Sequence, residues 1–314
     1  MAEPVALFAL MLDAAIGWPA WLYARVGHPV GAFARLINGC EHRWNRPAFG
    51  ARRLRWFGMT TVLLLLLMSA GPAFLVQHAI DFLPDTIAWL LLALLAFPAL
   101  AQRSLHDHVA AVESALRGGD LGHARHAVGM IVGRDTAELD EAGVARAAIE
   151  SLSESFCDGI AAPFFWLLLL GLPGVWAYKA INTADSLIGH KEDRWRAFGW
   201  AAARMDDGLN LIPARLGGVI LCLAGGGGWR IMARDARNHA SPNAGWTEAA
   251  MAGALGLRLA GPVAYDGVVH AKPWIGDGRA SANSDDIRRA LRLYRRACLI
   301  LWLVAALSLV RIMP

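Results

Sequence analysis

Phe57-Gly-Met-Thr-Thr-Val-Leu-Leu-Leu-Leu-Leu-Met-Ser-Ala-Gly-Pro-Ala-Phe-Leu-Val76 and Gly159-Ile-Ala-Ala-Pro-Phe-Phe-Trp-Leu-Leu-Leu-Leu-Gly-Leu-Pro-Gly-Val-Trp-Ala-Tyr178 contain no charged side chain. A helix crosses a bilayer with about 20 predominantly apolar residues, and both runs reach that length. The rest of the chain agrees: 56% of its residues are hydrophobic and 18% charged, and its mean hydropathy is +0.39, outside the range of soluble domains. Further apolar runs are Pro4–Ala24 with Asp13, the shorter Thr86–Gln102, Gly208–Trp229 with Arg215, and Ala297–Met313 with Arg311. The expectation is an all-α, polytopic integral membrane protein of about four to six apolar helices. It forms a single membrane-embedded domain over 1–314, with helical cytoplasmic blocks at 103–158, 179–215 and 235–246.

Arg43, Arg46, Arg52, Arg53 and Arg55 crowd the approach to Phe57, whereas Gln77–Asp85 has no Lys or Arg. The positive-inside rule puts the first end in the cytoplasm and the second on the other side. Nucleic-acid binding is not implied, because no aromatic-basic module accompanies the arginines. Met1-Ala-Glu-Pro4 lacks the basic start of a cleaved signal. Cys40, Cys157, Cys222 and Cys298 lack ligand or disulfide spacing and read as inert core thiols.

Between the runs the chain is polar but periodic. His106–Arg117, Leu121–Val132 and Glu138–Leu152 have helical spacing, with Gly118-Gly119 as a break and Asp120 as a cap. No alternation long enough for a sheet is visible. Arg103, Arg117, Arg125, Arg134 and Arg146 precede the run 159–178, and Lys179, Lys191, Arg194, Arg196 and Arg204 follow it. A simple crossing would put these blocks on opposite sides. Gly171-Leu-Pro-Gly174 can interrupt the helix, so 159–178 is expected to be a re-entrant hairpin that returns both blocks to one face.

Four groups of polar residues could carry chemistry. Arg146, Glu150, Glu154 and Asp158 recur every four residues and share one helix face. Such oxygen ligands suit Mg²⁺ completed by substrate phosphates, while an Arg146–Glu150 pair on a solvated face is the plainer alternative. Lys179, Asn182, Asp185 and Ser186 align an ammonium, an amide and a carboxylate beside an apolar run; a snorkelling lysine is the competing account. Arg204-Met-Asp-Asp207 leads to Arg215. Asp207 falls near Arg204 on a helical wheel and Asp206 points nearly opposite, as either a phosphate-plus-metal group or a membrane-border ion pair. His239, Ser241 and Asn243 occupy a Ser-Pro-Asn-x-Gly turn whose N–H groups could cradle an anion or merely close the turn. His28 before Pro29 lines a pocket or ends a helix. Gly225–Gly228 is not a P-loop, since GxxxxGK[ST] is absent.

In one order the chain carries Gly133-Arg-Asp-Thr136, Arg146-Ala-Ala-Ile-Glu-Ser151, Asp158-Gly-Ile-Ala-Ala-Pro163, Tyr178-Lys-Ala-Ile-Asn-Thr-Ala-Asp-Ser186, Phe198-Gly-Trp-Ala-Ala-Ala-Arg-Met-Asp-Asp207, Ile212-Pro-Ala-Arg-Leu216 and Ser241-Pro-Asn-Ala-Gly245. Together with Leu12-Asp13, His28-Pro29-Val30 and Trp274-Ile-Gly-Asp-Gly278, these words closely resemble the CobD/CbiB family of cobalamin biosynthesis. The resemblance implies an inner-membrane adenosylcobinamide-phosphate synthase with a cytoplasmic active face. Its substrates would be adenosylcobyric acid, itself a cobalt corrinoid, and (R)-1-aminopropan-2-ol O-phosphate or aminopropanol, with ATP and Mg²⁺. ATP would turn the propionate carboxylate into an acyl phosphate that the amine attacks.

On that resemblance Glu150, Glu154, Asp158, Lys179 and Asp185 become the catalytic candidates. Asn182, Lys191, Arg204, Arg215, His239, Asn243 and His28 would bind substrate or phosphate, and Glu154, Asp158, Asp206 and Asp207 would bind Mg²⁺. Other membrane-associated cobalamin enzymes and further copies of the chain are the implied protein partners. The sequence departs from the family pattern at Ser153-Glu154-Ser155, where Ala-Glu-Asn is usual, and at Gly17-Trp18-Pro19, where Gly-Asp-Pro is commoner. Other readings of the same chain are a corrinoid transport-associated membrane protein and an AmpE-like signalling membrane protein.

Overall fold

The computed structural model describes residues 2–261, 263–265, 268–270 and 273–310. In chain order the elements are α1 (Ala2–Ile16), α2 (Ala20–Val26), α3 (Pro29–Trp44), α4 (Ala51–Ile80), α5 (Asp85–Ala96), α6 (Gln102–Arg117), α7 (Leu121–Gly129), α8 (Glu141–Phe156), α9 (Ala162–Ile188), α10 (Asp193–Arg196), α11 (Trp200–Leu209), α12 (Leu211–Gly225), α13 (Trp229–Asp235), α14 (Ala244–Leu255), β1 (Leu259–Ala260), β2 (Val263–Tyr265), β3 (Val268–His270), β4 (Trp274–Ile275) and α15 (Ser284–Val310). The helical expectation holds. Among the described residues three helices are long and apolar enough to cross a membrane, or five if two bent pairs each count as one. Residues 311–313 of the last expected run, with Arg311, lie outside the described residues.

Strands are few and short, in keeping with the all-α expectation. β1 pairs antiparallel with β4 and β2 with β3, in two two-stranded ribbons. Strands of two or three residues are too short to leave an alternation in the sequence.

The chain gathers into two compact units. The first comprises Met1–Ala101, Ala162–Asn210 and Ala305–Pro314, and the second Gln102–Ala161 and Leu211–Val304. In the first unit, Ile37, Val62, Leu65, Ala180, Ile181, Ala184, Ile188 and Phe198 are buried together. Gly58 admits the Phe198 carbonyl where a Cβ would collide with it. Leu63, Leu67, Phe74 and Leu75 of α4 remain exposed, as expected of a face meant for lipid.

α9 is not one rod. Gly171 adopts φ 66°, ψ −150° within it, a conformation that glycine reaches without steric cost. Residues eight apart in a straight helix are separated by about 12 Å along the axis, yet a Cβ on Gly174 would lie 2.5 Å from the Trp166 carbonyl oxygen. The backbone therefore folds back. Trp166 Nε1 donates to the Leu209 carbonyl (3.2 Å) and Tyr178 Oη to Asn210 Oδ1 (3.0 Å), pinning both arms to the end of α11. The N–H freed at the break, that of Leu172, donates to Gln77 Oε1 at 2.8 Å. Length and composition let 141–188 count as one span. The helix before the break continues from α8 through the π-helical turn, but its charge-free part, 159–170, is only about 18 Å long, short of a hydrocarbon core about 30 Å thick. The Gly-Leu-Pro-Gly break expected from the sequence is the turn of a helical hairpin.

In the second unit the expected caps are present. Asp120 accepts from the His123 N–H (2.9 Å) and Asp140 from that of Gly143 (2.7 Å), starting α7 and α8. Phe156 packs edge-on against Tyr294 with ring centroids 6.1 Å apart. The small faces of Gly217 and Gly218 let α12 lie close to Thr247 and to the Trp246 carbonyl. The four cysteines are buried thiols, with no disulfide among the described residues.

Candidate active site

The second unit encloses a cavity of about 520 Å³ lined by residues that include Gly133, Arg134, Glu150, Glu154, His239 and Glu248. Its wall is built from α8, the loop before it, the turn before α14, α14 itself, the end of β1 and β4 with the residue before it. Ser151 Oγ donates to the Ile131 carbonyl (2.7 Å), tying the loop to the helix. Arg134 Nη2 donates to Glu150 Oε2 (2.6 Å), and the Ala260 N–H donates to Glu150 Oε1 (2.9 Å). One carboxylate thus joins three segments. Ala260 is the one non-glycine residue with positive φ (56°) among the described residues, a cost that concentrates at sites where surrounding contacts enforce it.

This arrangement corrects the expected Arg146–Glu150 pair. Arg146 Nη1 donates to the Ala280 carbonyl (2.7 Å), and its guanidinium sits 5.6 Å from the centre of the Trp274 ring. The cation that neutralises Glu150 is Arg134, sixteen residues upstream. Asp158 falls in a π-helical turn, Cys157–Ala161, that follows α8. Glu154 lies exposed at the rim of the cavity, whereas Asp158 is not among the residues lining it.

The turn before α14 closes on itself. His239 Nδ1 accepts the Ser241 N–H (3.0 Å), and Ser241 Oγ accepts from the N–H groups of Asn243 (3.2 Å) and Ala244 (3.3 Å). An anion would find these donors taken. The same bond puts the imidazole proton on Nε2, which faces Glu248 Oε2 at 3.5 Å. Arg215 donates to Asn243 Oδ1 (2.6 Å) and lies 4.9 Å from the Trp246 ring centre. Arg215 and Asn243, expected to bind phosphate, instead clamp the turn.

Beside the cavity, Asp235 is gripped by Arg234 through both oxygens (2.6 and 2.7 Å) and by the Gly276 N–H (2.8 Å). The Arg234 hydrogen bonds hold its carboxyl below the usual carboxylate range.

The remaining candidates belong to the first unit. Asp206 Oδ1 accepts from Asn182 Nδ2 (3.3 Å) and Oδ2 from Asn210 Nδ2 (3.0 Å). Asp207 turns the other way and pairs with Arg204 at 3.5 Å, as the helical wheel requires. The charge of Lys179 is felt at His28 and at Asp206. His28 Nδ1 accepts the Val30 N–H (3.2 Å), so it caps α3 ahead of Pro29 and does not line the cavity. Asp185 packs against Gly189, and Lys191 is exposed after α9.

No three His, Cys, Asp or Glu side chains gather as a metal set among the described residues. Mg²⁺ does not need such a cage, because it uses one or two carboxylates plus phosphates and water. Glu154 and Glu248 on one cavity are a donor set of that size. Sequence reasoning missed Glu248, although it is the one charged residue of α14, Ala-Gly-Trp-Thr-Glu-Ala-Ala-Met-Ala-Gly-Ala-Leu. An ionisable group in an apolar helix is a signal of function.

These features define a multi-pass helical membrane protein with a carboxylate-lined cavity in one of its units. The family model described as CobD/CbiB protein matches residues 6–294, and the chain belongs to the CobD/CbiB family. A cobalamin biosynthesis protein CobD of Rhodobacter capsulatus is 50% identical over 307 residues, covering 95% of this chain and 96% of that protein. The protein of the same name from Sinorhizobium fredii is 46% identical over 321 residues, covering 99% and 97%. That from Brucella anthropi is 46% identical over 313 residues, covering 96% and 95%. No solved structure matches.

Proposed function

We propose that the chain acts in cobalamin biosynthesis as an ATP-dependent acid–amine ligase of the inner membrane, with its active face in the cytoplasm. It would join the propionate carboxylate of adenosylcobyric acid to aminopropanol phosphate or aminopropanol, giving adenosylcobinamide phosphate or adenosylcobinamide. The observation that carries this reading is the cavity of the second unit, where Glu154 and Glu248 face a wall fixed by the Arg134–Glu150 pair.

A free carboxylate is a poor acyl donor. ATP with Mg²⁺ supplies the phosphoryl group that would activate it as an acyl phosphate. Of the chain's own residues, Glu154 and Glu248 would hold the cation. Arg134 and Glu150 keep the loop 131–134 in place, and as the amine's attack expels inorganic phosphate, the Glu154 oxygen not bound to the cation would take the released proton. On the family resemblance, Lys179 and Arg204 remain candidates for binding phosphate. The hairpin supports the common cytoplasmic face: if its tip lies in the bilayer, cysteines placed at 155 and 190 label from one side.

The test is the purified protein in detergent with adenosylcobyric acid, the amine, ATP and Mg²⁺, followed by mass spectrometry. The amide adduct is expected from the wild type and should be absent from Glu154→Gln and Lys179→Ala at unchanged thermal stability. No adduct with either amine would overturn the ligase; full turnover by both variants would overturn these roles.

A further inference from the structure

A second cavity, of about 260 Å³, lies where the C-terminal ends of α12 and α14 meet α15. Its lining is Gly225, Ala254, Leu255, Leu293 and three arginines, Arg289, Arg292 and Arg296. A Cβ at Gly225 would meet Ala254 Cβ at 2.6 Å and Leu293 Cδ1 at 2.9 Å, so the floor is closed and apolar while the mouth is cationic.

The carboxylates along this stretch are already engaged. Arg288 takes Glu113 (2.9 Å) and Asp285 (3.4 Å); Asp286 takes Arg289 (3.0 Å) and Arg279. Arg289 also donates to the Leu255 carbonyl at 2.9 Å. Among the described residues no carboxylate pairs with Arg292 or Arg296. Spaced i,i+4, these two repel each other on one helix face. The two helix ends beside them carry about half a negative charge each, which leaves the pair of guanidiniums under-neutralised. Those ends are moreover capped, by Gly226, Gly227 and Leu257 N–H groups.

The remainder of α15 identifies the missing anion. From Ala297 to Val310 the helix has no charged residue. Leu299 and Leu303 continue the face of Arg292 and Arg296 at steps of three and four, and they are 56% and 60% exposed. A cationic head above an exposed leucine stripe is the complement of an anionic amphiphile, and basic pockets between membrane helices hold lipid headgroups. We propose that Arg292 and Arg296 bind the phosphate of an anionic phospholipid whose acyl chain lies along Leu299 and Leu303. The site is separate from the proposed ligase cavity and does not depend on that reading.

The experiment is native mass spectrometry of the full chain in detergent, titrated with phosphatidylglycerol or phosphatidylcholine, with thermal stability read in parallel. Wild type is expected to retain phosphatidylglycerol at a concentration at least about tenfold lower than phosphatidylcholine. Arg292→Ala/Arg296→Ala should erase that preference without lowering the lipid-free melting temperature, and Arg292→Lys/Arg296→Lys should keep part of it. Equal retention of both lipids by the wild type, or an undiminished preference in the alanine variant, would overturn the proposal. So would stabilisation by inorganic phosphate alone equal to that by phosphatidylglycerol, which would make the site one for free phosphate.

Discussion

The two units handle buried polarity in opposite ways. In the first, polar groups satisfy one another as a closed set. Asp206 is held by two asparagine amides, Asn210 in turn accepts from Tyr178, and Gln77 caps the broken hairpin. In the second, ionisable groups line a cavity, with Arg134 paired to Glu150 and Glu248 beside the His239 imidazole. Closed networks of neutral donors fix a shape. Charges beside a cavity cost desolvation that shape alone does not require. The contrast gives the second unit a cavity lined by ionisable groups and the first a closed polar network, even though the sequence shows equally suggestive polar spacing in both.

The hairpin is where the comparison breaks most visibly. Gly171→Val forces a β-branched residue to positive φ and drives its side chain into Gln77, which already occupies that space. A loss of about 4 kcal/mol is expected from strain and overpacking together, seen as loss of the monodisperse peak in detergent size-exclusion chromatography. A normal peak would mean that the reversal at Gly171 does not hold the first unit together. In the second unit, Arg134→Met leaves Glu150, with 16% side-chain exposure, facing the Ala260 N–H alone. The expected cost is about 3 kcal/mol, read as a lowered melting temperature. Arg134→Met/Glu150→Met should recover most of it, because an apolar pair carries no stranded charge.

Legibility in the sequence tracks the range of the interactions. Asp120 and the Gly171–Gly174 break act on their own neighbours and were legible. The opposite directions of Asp206 and Asp207 follow from helical geometry alone. Arg134 meeting Glu150 was not legible, because the loop 131–134 has no period. Gln77 reaching Leu172, 95 residues on, is set by packing that no local pattern encodes. Of the residues chosen for chemistry, Glu150, Glu154 and His239 line the cavity, while Arg215, Asn243 and His28 turn out to cap and clamp. Their hydrogen-bonding capacity was visible, but not that nearby backbone had already claimed it.

The smallest expected effect is the most discriminating, since Asp206 is where the two accounts of the first unit diverge. As a metal ligand it would lose function, but little stability, on conversion to Asn. As the acceptor of a closed network it has both oxygens engaged by Nδ2 groups, of Asn182 at 3.3 Å and Asn210 at 3.0 Å. Asp206→Asn then turns one acceptor into a donor that faces another donor. Losing one hydrogen bond and stranding its partner costs about 1–2 kcal/mol, and the melting temperature should fall accordingly. Asn210 is 2% exposed, so water cannot readily replace the lost acceptor. Asp207→Asn is the control on the same helix, because its partner Arg204 is 63% exposed and an exposed pair of this kind contributes little. If Asp206→Asn melts with the wild type yet makes no adduct, Asp206 belongs to the chemistry and the closed-network account of its carboxylate fails.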